Sequence, residues 1–210
     1  MNKFTKIIGV CALSLGLVGT AQATVIFSDN FDAENGGVGA LNYTGFSNWS
    51  VSQGTVDLIG NGFYDFLPGN GLYVDLDGST NNAGIMGHFQ SLAPGDYTLS
   101  FDLAGNHRNS AAELTTVNVA VVLGGGTAAN SSISLNQNDP FTTYSLDFSI
   151  SPLLNPSFIF VSFGAASNDN IGMLLDNVVL SDRVGVPEPN TLALLAVGLL
   201  GVGFARRKLS

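Results

Sequence analysis

The chain has 210 residues, of which 45% are hydrophobic and only 11% are charged, and its formal net charge is −9 at pH 7. Residues 24–182 contain fifteen carboxylates and one basic side chain, Arg108, which gives this part a net charge of −14. Binding to nucleic acid needs Lys and Arg to neutralise phosphates, so the composition argues against a nucleic-acid partner. An acidic surface of this kind suits divalent cations and uncharged ligands, or serves only to keep the protein soluble.

The first 23 residues have the pattern of a cleavable signal peptide. Two lysines precede an apolar run over residues 7–20, and residues 21–23 are the Ala-Gln-Ala sequence that a signal peptidase cleaves. The apolar run is shorter than the ~20 residues that a membrane-spanning helix needs. We therefore expect an exported protein whose mature chain begins at Thr24.

The only cysteine, Cys11, lies inside this signal, so the expected mature protein has no disulfide. About 160 residues remain between the two terminal segments, which is enough for one domain with a sizeable core. The stability of that domain must come from its core or from a bound metal.

Residues 24–183 are typical of an all-β domain. Every second residue is apolar from Tyr97 to Leu103 and again over residues 144–150, and no stretch has a helical period. Turn residues separate these runs. The predicted strands are 55–59, 72–76, 85–92, 96–103, 117–123, 144–150, 157–163 and 173–180. Short strands at this spacing predict an antiparallel sandwich or barrel.

After Arg183 the composition changes to an extended linker over residues 184–190 and then an apolar segment over residues 191–205. The linker contains Pro187, Glu188 and Pro189. The basic end of the chain contains Arg206, Arg207 and Lys208. A helix over the fifteen apolar residues would span only ~22 Å, which is marginal for a bilayer core of ~30 Å. The basic cluster would hold its end on the cytoplasmic side of a membrane.

The order of these three parts closely resembles the PEP-CTERM sorting signal of Gram-negative bacteria that make extracellular polysaccharide. The resemblance implies that residues 191–210 insert transiently into the inner membrane and that an exosortase removes them near the Pro-Glu-Pro motif. It also implies delivery to the cell surface or the extracellular matrix. The alternative is a Pro-rich linker in front of a plain membrane anchor.

The middle of the chain resembles the galactose-binding-like jelly rolls, a group that includes many carbohydrate-binding modules. The blocks that carry the resemblance are residues 49–51, 55–59, 74–79, 97–106 and 175–180. The resemblance implies an antiparallel jelly-roll β-sandwich over residues 24–183.

The same resemblance implies a structural Ca²⁺ ion that joins the first strand to the last. The matching carboxylates are Asp29, Asp32, Glu34 and Asp176. The family usually has Glu after the Phe of this motif, where this chain has Asp32, so the ligands in that loop are open. Calcium takes six to eight oxygen ligands. The alternative is that these side chains cap turns of their own backbone.

Aromatic side chains are concentrated in the first third of the domain, among several asparagines. A sugar site needs aromatic faces that stack on C–H groups and polar side chains that bond hydroxyls. The candidate glycan-binding residues are Tyr43, Phe63, Tyr64, Phe66 and Tyr73. Trp49 is expected in the core, because a lone Trp in an alternating strand is usually buried.

The sequence predicts no catalytic residues. The expected mature chain has no cysteine and no Gly-x-Ser-x-Gly elbow, and its only histidines are His88, in an alternating strand, and His107. We therefore predict a non-catalytic surface or matrix protein that binds carbohydrate, with extracellular polysaccharide as its partner. The first alternative is a structural or adhesive matrix protein without a glycan ligand. The second is a polysaccharide hydrolase that uses two carboxylates.

Overall fold

Alternation of apolar and polar residues sets the strands of this domain, which is described from a computed structural model. The structure describes residues 23–80, 82–108, 115–123, 126–152, 157–165 and 169–183. The strands are Val25–Asp29 (β1), Ser50–Ser52 (β2), Asp57–Gly60 (β3), Leu72–Asp75 (β4), Ile85–Leu92 (β5), Gly95–Ala104 (β6), Thr115–Leu123 (β7), Gly126–Leu135 (β8), Thr142–Ile150 (β9), Ser157–Ala165 (β10) and Leu174–Asp182 (β11). The described residues contain no α-helix, and one 3₁₀ turn covers Glu34–Gly37.

The predicted linker, the apolar C-terminal helix and all but the last residue of the predicted signal peptide lie outside the described residues. Within the described ranges, no helix is long and apolar enough to cross a membrane.

The strands form two sheets. The first has the order β3-β4-β11-β6-β9, with β1 also paired to β11, and the second has the order β2-β5-β10-β7-β8. The strands of both sheets pair antiparallel. This arrangement confirms the predicted antiparallel β-sandwich. Ala23–Arg183 is one compact unit, and it holds the buried core that the described residues form, so we expect it to fold on its own.

Along one of its two edges, strand β11 pairs with two different strands. Its start pairs with β4, where Leu174 lies opposite Asp75, and its second half pairs with β1. A register shift between Asp176 and Val179 separates the two halves, and Asn177 has a positive φ of 48° there. Such a bulge bends a strand and redirects its side chains, which allows β11 to exchange one neighbour for the other.

The main core lies between the two sheets. Tyr97, Leu99, Phe101 and Leu103 of β6 are all buried, as their alternation predicts, and Phe101 contacts Phe163 of β10 with ring centroids 5.0 Å apart. Buried aromatic pairs in this edge-to-face geometry contribute about 0.5–1.5 kcal/mol beyond the area that they bury.

Trp49 is only 5% exposed, as expected for a core residue. Its indole Nε1 donates to Asp29 Oδ2 at 3.0 Å, so its polar atom is satisfied. His88 is also buried, and its ring stacks on Phe27 with centroids 3.9 Å apart. His88 is therefore a structural residue.

A second, smaller cluster covers the outer face of the first sheet. Ile59, Tyr73, Ala104 and Leu174 point away from the main core because their strand neighbours point into it. The β3–β4 loop, residues 61–71, folds over them and adds three partly buried apolar side chains. Both faces of β4 are therefore buried, and this loop forms one wall of the site described next.

Candidate functional site

A cleft of about 410 Å³ lies beside the β3–β4 loop. Its walls come from six separate parts of the chain. The lining residues are Leu41, Asp57, Tyr64, Phe66, Ser79, Arg108 and Asn170. The volume falls in the range of ~300–1,000 Å³ that is usual for small-ligand sites.

The tyrosine hydroxyl of β4 fixes the β3–β4 loop. Tyr73 Oη accepts hydrogen bonds from the amides of Phe66 (2.7 Å) and Leu67 (3.0 Å) and donates to Asp65 Oδ1 at 3.1 Å. Burial raises the pKa of Tyr73 to about 12, so its proton stays in place at every physiological pH. The loop then presents Tyr64, whose side chain is 55% exposed.

Arg108 closes the opposite wall. Its Nη2 donates to Asp75 Oδ2 at 2.7 Å, and its Nη1 donates to the carbonyl of Asn170. The guanidinium carbon lies 5.0 Å from the ring centroid of Phe66, within the distance of a cation–π contact. Arg108 Nε is buried without a hydrogen-bond partner among the described residues.

The carboxylate beneath Arg108 belongs to Asp75, which is fully buried. Its Oδ1 also accepts from the amides of Asp77 and Gly172, both at 3.0 Å. Burial raises the pKa of Asp75 to about 7, while Arg108 and the amide of Asp77 act in the opposite direction. The contact between Arg108 and Asp75 is therefore a structural support of the cleft, in which the guanidinium already has hydrogen-bond partners.

Asp57 lies directly opposite Asp75 in the β3–β4 pair and forms the floor of the cleft. It accepts from the amide of Asn42 at 2.6 Å and from Ser79, by the amide at 3.2 Å and by Oγ at 2.7 Å. Asp57 thus ties two loops to the sheet. The cleft as a whole combines an exposed aromatic ring with a fixed guanidinium, a hydroxyl and an amide side chain.

The structure brings together two of the five predicted glycan-binding residues, Tyr64 and Phe66, in this cleft. Phe63 packs against the cluster on the outer face of the sheet, with its ring centroid 4.9 Å from that of Tyr64. Tyr43 packs on Phe46, and its hydroxyl donates to the carbonyl of Gly45.

The expectation that Tyr73 faces a ligand is wrong, because its side chain is fully buried and bonds the loop instead. Sequence reasoning also missed Asp57, Arg108 and Asn170. The available signal was that Arg108 is the only basic residue among the fifteen carboxylates of residues 24–182.

The four predicted calcium ligands do not form one cluster. Both carboxylate oxygens of Glu34 accept from the amide of Ser47, at 2.9 and 3.1 Å, so Glu34 serves as a loop clamp. Asp29 accepts from the amide of Phe31 and from the indole of Trp49. Across the described residues, no group of three or more His, Cys, Asp or Glu side chains is arranged to hold a metal ion.

Asp32 and Asp176 remain close enough to affect each other. Asp32 Oδ1 accepts from the amide of Leu72 at 2.8 Å. Asp176 is 3% exposed, and its Oδ1 accepts from the amide of Asn177 at 2.7 Å. Burial raises the pKa of Asp176 to about 7, and the negative charges of Asp32, Asp102 and Asp29 raise it further. A cation beside Asp176 would relieve this repulsion.

The fold is similar to that of several solved structures. A cyclase from Fischerella sp. TAU has 18% identity and a TM-score of 0.56, and the Stig cyclase Fisc from the same organism, in complex with an indole compound, has 16% identity and a TM-score of 0.52. Both matches cover 77% of this chain and 98% of the cyclase.

A tandem CBM22-1–CBM22-2 domain from Xyn10C of Paenibacillus barcinonensis is similar to 78% of this chain, over 51% of its own length, with 11% identity and a TM-score of 0.51. At these identities the likeness shows the fold alone. The fold is thus a jelly-roll β-sandwich of the kind found in carbohydrate-binding modules, as predicted.

The C-terminal segment identifies the chain more closely. Residues 185–208 match the PEP-CTERM protein-sorting motif. The motif implies export to the cell envelope or surface of a Gram-negative bacterium and processing by an exosortase, as the order of linker, apolar segment and basic end predicts. A comparison with curated protein sequences finds no significant match.

Proposed function

We propose that Ala23–Arg183 is a non-catalytic carbohydrate-binding domain and that the cleft around Tyr64, Phe66 and Arg108 is its sugar site. One observation carries the proposal: an exposed aromatic ring and a fixed guanidinium face the same cleft. The β-sandwich fold shared with carbohydrate-binding modules is consistent with it.

The groups in the cleft match the chemistry of an uncharged sugar. The ring of Tyr64 offers a face on which sugar C–H groups stack, while Ser79 and Asn170 offer hydrogen bonds to hydroxyls. Arg108 is already hydrogen-bonded to Asp75, and Asp57 places a further acidic side chain at the floor. Because Arg108 is engaged and acidic side chains lie beside it, the cleft favours a neutral sugar over an anionic one.

The state of the two nearest carboxylates favours binding over hydrolysis. A glycosidase needs two carboxyl groups that flank the scissile bond, one of them with a raised pKa. Asp75 has such a pKa, but it is fully buried behind Arg108. Asp57 is occupied by three hydrogen bonds from the loops. Asp57 lines the cleft, but these hydrogen bonds already engage both of its oxygens, which supports binding more than hydrolysis.

The sorting motif supports a location where glycans are present. In this proposal a signal peptidase removes the N-terminal segment, the C-terminal segment inserts transiently into the inner membrane, and an exosortase removes it. The domain then resides at the cell surface or in the extracellular matrix, with extracellular polysaccharide as its partner. A purely structural matrix protein is the alternative that the binding experiment addresses.

A structural Ca²⁺ ion is a separate part of the proposal. We assign it to Asp32 and Asp176, with backbone carbonyls supplying further oxygens. The support is that Asp176 is buried among carboxylates and that none of its hydrogen bonds among the described residues comes from Lys or Arg. Such an ion would join the loop after β1 to β11 and stabilise the folded state.

The test is the binding of purified Ala23–Arg183 to an array of neutral and acidic oligosaccharides, followed by calorimetry on the best ligand. We expect binding to neutral sugars and a loss of at least tenfold in affinity for Tyr64→Ala. Val38→Ala is the matched control, because Val38 is 61% exposed and does not line the cleft.

Two outcomes would contradict the proposal. Equal affinity of Tyr64→Ala and the parent protein would remove the cleft from the binding site. Release of reducing sugar from a bound polysaccharide would show that the domain is a hydrolase.

A further inference from the structure

Charge is distributed unequally between the two sheets. The strands of the first sheet contain eight aspartates, at least one in each strand: Asp29, Asp57, Asp75, Asp96, Asp102, Asp147, Asp176 and Asp182. The five strands of the second sheet contain no Asp, Glu, Lys or Arg. His88 is the one histidine in these five strands, and its side chain points into the core. The outer face of the second sheet is therefore uncharged in a strongly acidic domain.

An aromatic pair lies near the middle of this face. Phe89 of β5 and Phe160 of β10 are directly opposite in the strand register, and their ring centroids are 4.6 Å apart. Phe89 is 68% exposed, the largest exposure recorded for a large apolar side chain among the described residues. A ring left this far in water has no role in the core.

The backbone beside Phe160 is adapted to its ring. Gly87 is the neighbour of Phe160 on the outer face, and a Cβ atom at Gly87 would lie 2.1 Å from that ring. The ring thus lies flat over the strand instead of standing away from the sheet. Together, Phe89 and Phe160 form a low aromatic surface that is open to solvent.

Small hydroxyl side chains surround the aromatic pair. Residues that lie opposite each other in an antiparallel ladder share a face, which places Ser50, Ser91 and Ser162 beside the two rings. Val122 of β7 lies opposite Phe160 on the same face and is only partly buried. The face is too polar for the buried core of a stable dimer, which is more apolar than ordinary protein surface.

We propose that the outer face of the second sheet is a second carbohydrate-binding surface, which takes an extended chain of uncharged sugars on Phe89 and Phe160. A polysaccharide matches the face because each sugar has apolar C–H faces for the rings and hydroxyls for the serines. An ionic partner has nothing to pair with there, and a lipid surface would meet a row of hydroxyls. This surface is separate from the cleft at Tyr64, so an experiment can exclude either proposed site without excluding the other.

The experiment measures retention of Ala23–Arg183 on insoluble neutral polysaccharides such as cellulose, curdlan and xylan, with alginate as the acidic comparison. We expect Phe89→Ala to lower retention at least tenfold and Phe89→Tyr to retain as much as the parent protein. Tyr64→Ala should keep part of the parent's retention, because the sheet face is intact in that variant. Because the contact is uncharged, retention on the neutral polymers should change less than twofold between 50 and 500 mM salt. Phe89 is largely exposed, so the variant should keep the parent melting temperature.

Several results would overturn this inference. One is equal retention of Phe89→Ala and the parent protein on every neutral polymer, and another is the absence of retention on all of them. A third is a concentration-dependent dimer in the parent protein that Phe89→Ala abolishes. Binding to phosphatidylcholine vesicles that depends on Phe89 would likewise assign the face to a membrane.

Discussion

Arg108 Nη2 lies 2.7 Å from Asp75 Oδ2, so the segment after β6 is joined to the end of β4 across 33 residues of sequence. The pair supports the cleft from below, because the same guanidinium contacts Phe66 on the β3–β4 loop. One side chain thus holds the end of β4, the segment at Asn170 and the β3–β4 loop in a fixed relation.

Removing this guanidinium should destabilise the domain. Arg108→Ala leaves a buried carboxylate without its partner, and breaking a buried ion pair in this way costs about 3 kcal/mol. Urea denaturation measures the loss. Arg183→Ala is the matched control, since its pair with Asp147 at 3.3 Å has both side chains about half exposed, and such surface pairs contribute less than about 1 kcal/mol. Equal losses in the two variants would contradict a supporting role for Arg108.

The stability of the domain should depend on pH through Asp75. Its pKa is about 7 in the folded state against an ordinary value of 3.8, so the folded state binds the proton more tightly than the unfolded state does. The free energy of unfolding from this group therefore falls as pH rises from about 4 to about 7. Melting curves of Asp75→Asn and the parent protein at pH 5 and pH 8 test this. The melting temperature of the parent, relative to that of Asp75→Asn, should be lower at pH 8 than at pH 5. A difference between the two proteins that stays constant with pH would refute the raised pKa of Asp75.

Tyr73→Phe should loosen the wall of the cleft without changing its surface. The substitution removes the acceptor for the amides of Phe66 and Leu67, and a buried donor left unsatisfied costs about 1–3 kcal/mol. We expect lower stability together with weaker sugar binding at Tyr64. Tyr43→Phe is the control, because its hydroxyl bonds only the nearby carbonyl of Gly45. A Tyr73→Phe protein with parental binding would show that the loop does not need this anchor.

Calcium should raise the melting temperature of the domain, and a chelator should lower it. We expect a shift of several degrees, which corresponds to about 1–3 kcal/mol for an ion present at many times its dissociation constant. Asp176→Asn should abolish the response, whereas Glu34→Gln should leave it intact because Glu34 is bound to Ser47. Identical melting curves with and without chelator would exclude the ion.

The sequence allowed the long alternating strands to be predicted well and the weakly patterned ones poorly. β6, predicted over residues 96–103, covers Gly95–Ala104 because its apolar residues alternate from Tyr97 to Leu103. β8 was missed, since its residues are mostly Ala, Asn, Ser and Thr and carry little apolar signal. The short strands β1 and β2 were also missed.

The candidate site shows the same division between local and long-range information. Tyr64 and Phe66 were predicted from their Gly- and Pro-bounded loop, which is a local property. Asp57, Arg108 and Asn170 meet only because β6 and β11, which are far from β3 and β4 in sequence, belong to the same sheet. Tyr73 was assigned to the ligand because alternation does not reveal that a loop buries the outer face of β4 as well.

The position of β11 has a mechanical consequence. The chain leaves the domain from this strand, which is bonded to β6 along one side and to β4 and β1 along the other. The amide of Asp182 also donates to the carbonyl of Thr24 at 3.0 Å, so the two termini of the domain lie side by side. Tension applied at the C-terminal end is therefore shared by the backbone hydrogen bonds on both sides of β11. Both sets of bonds must break before the domain unfolds.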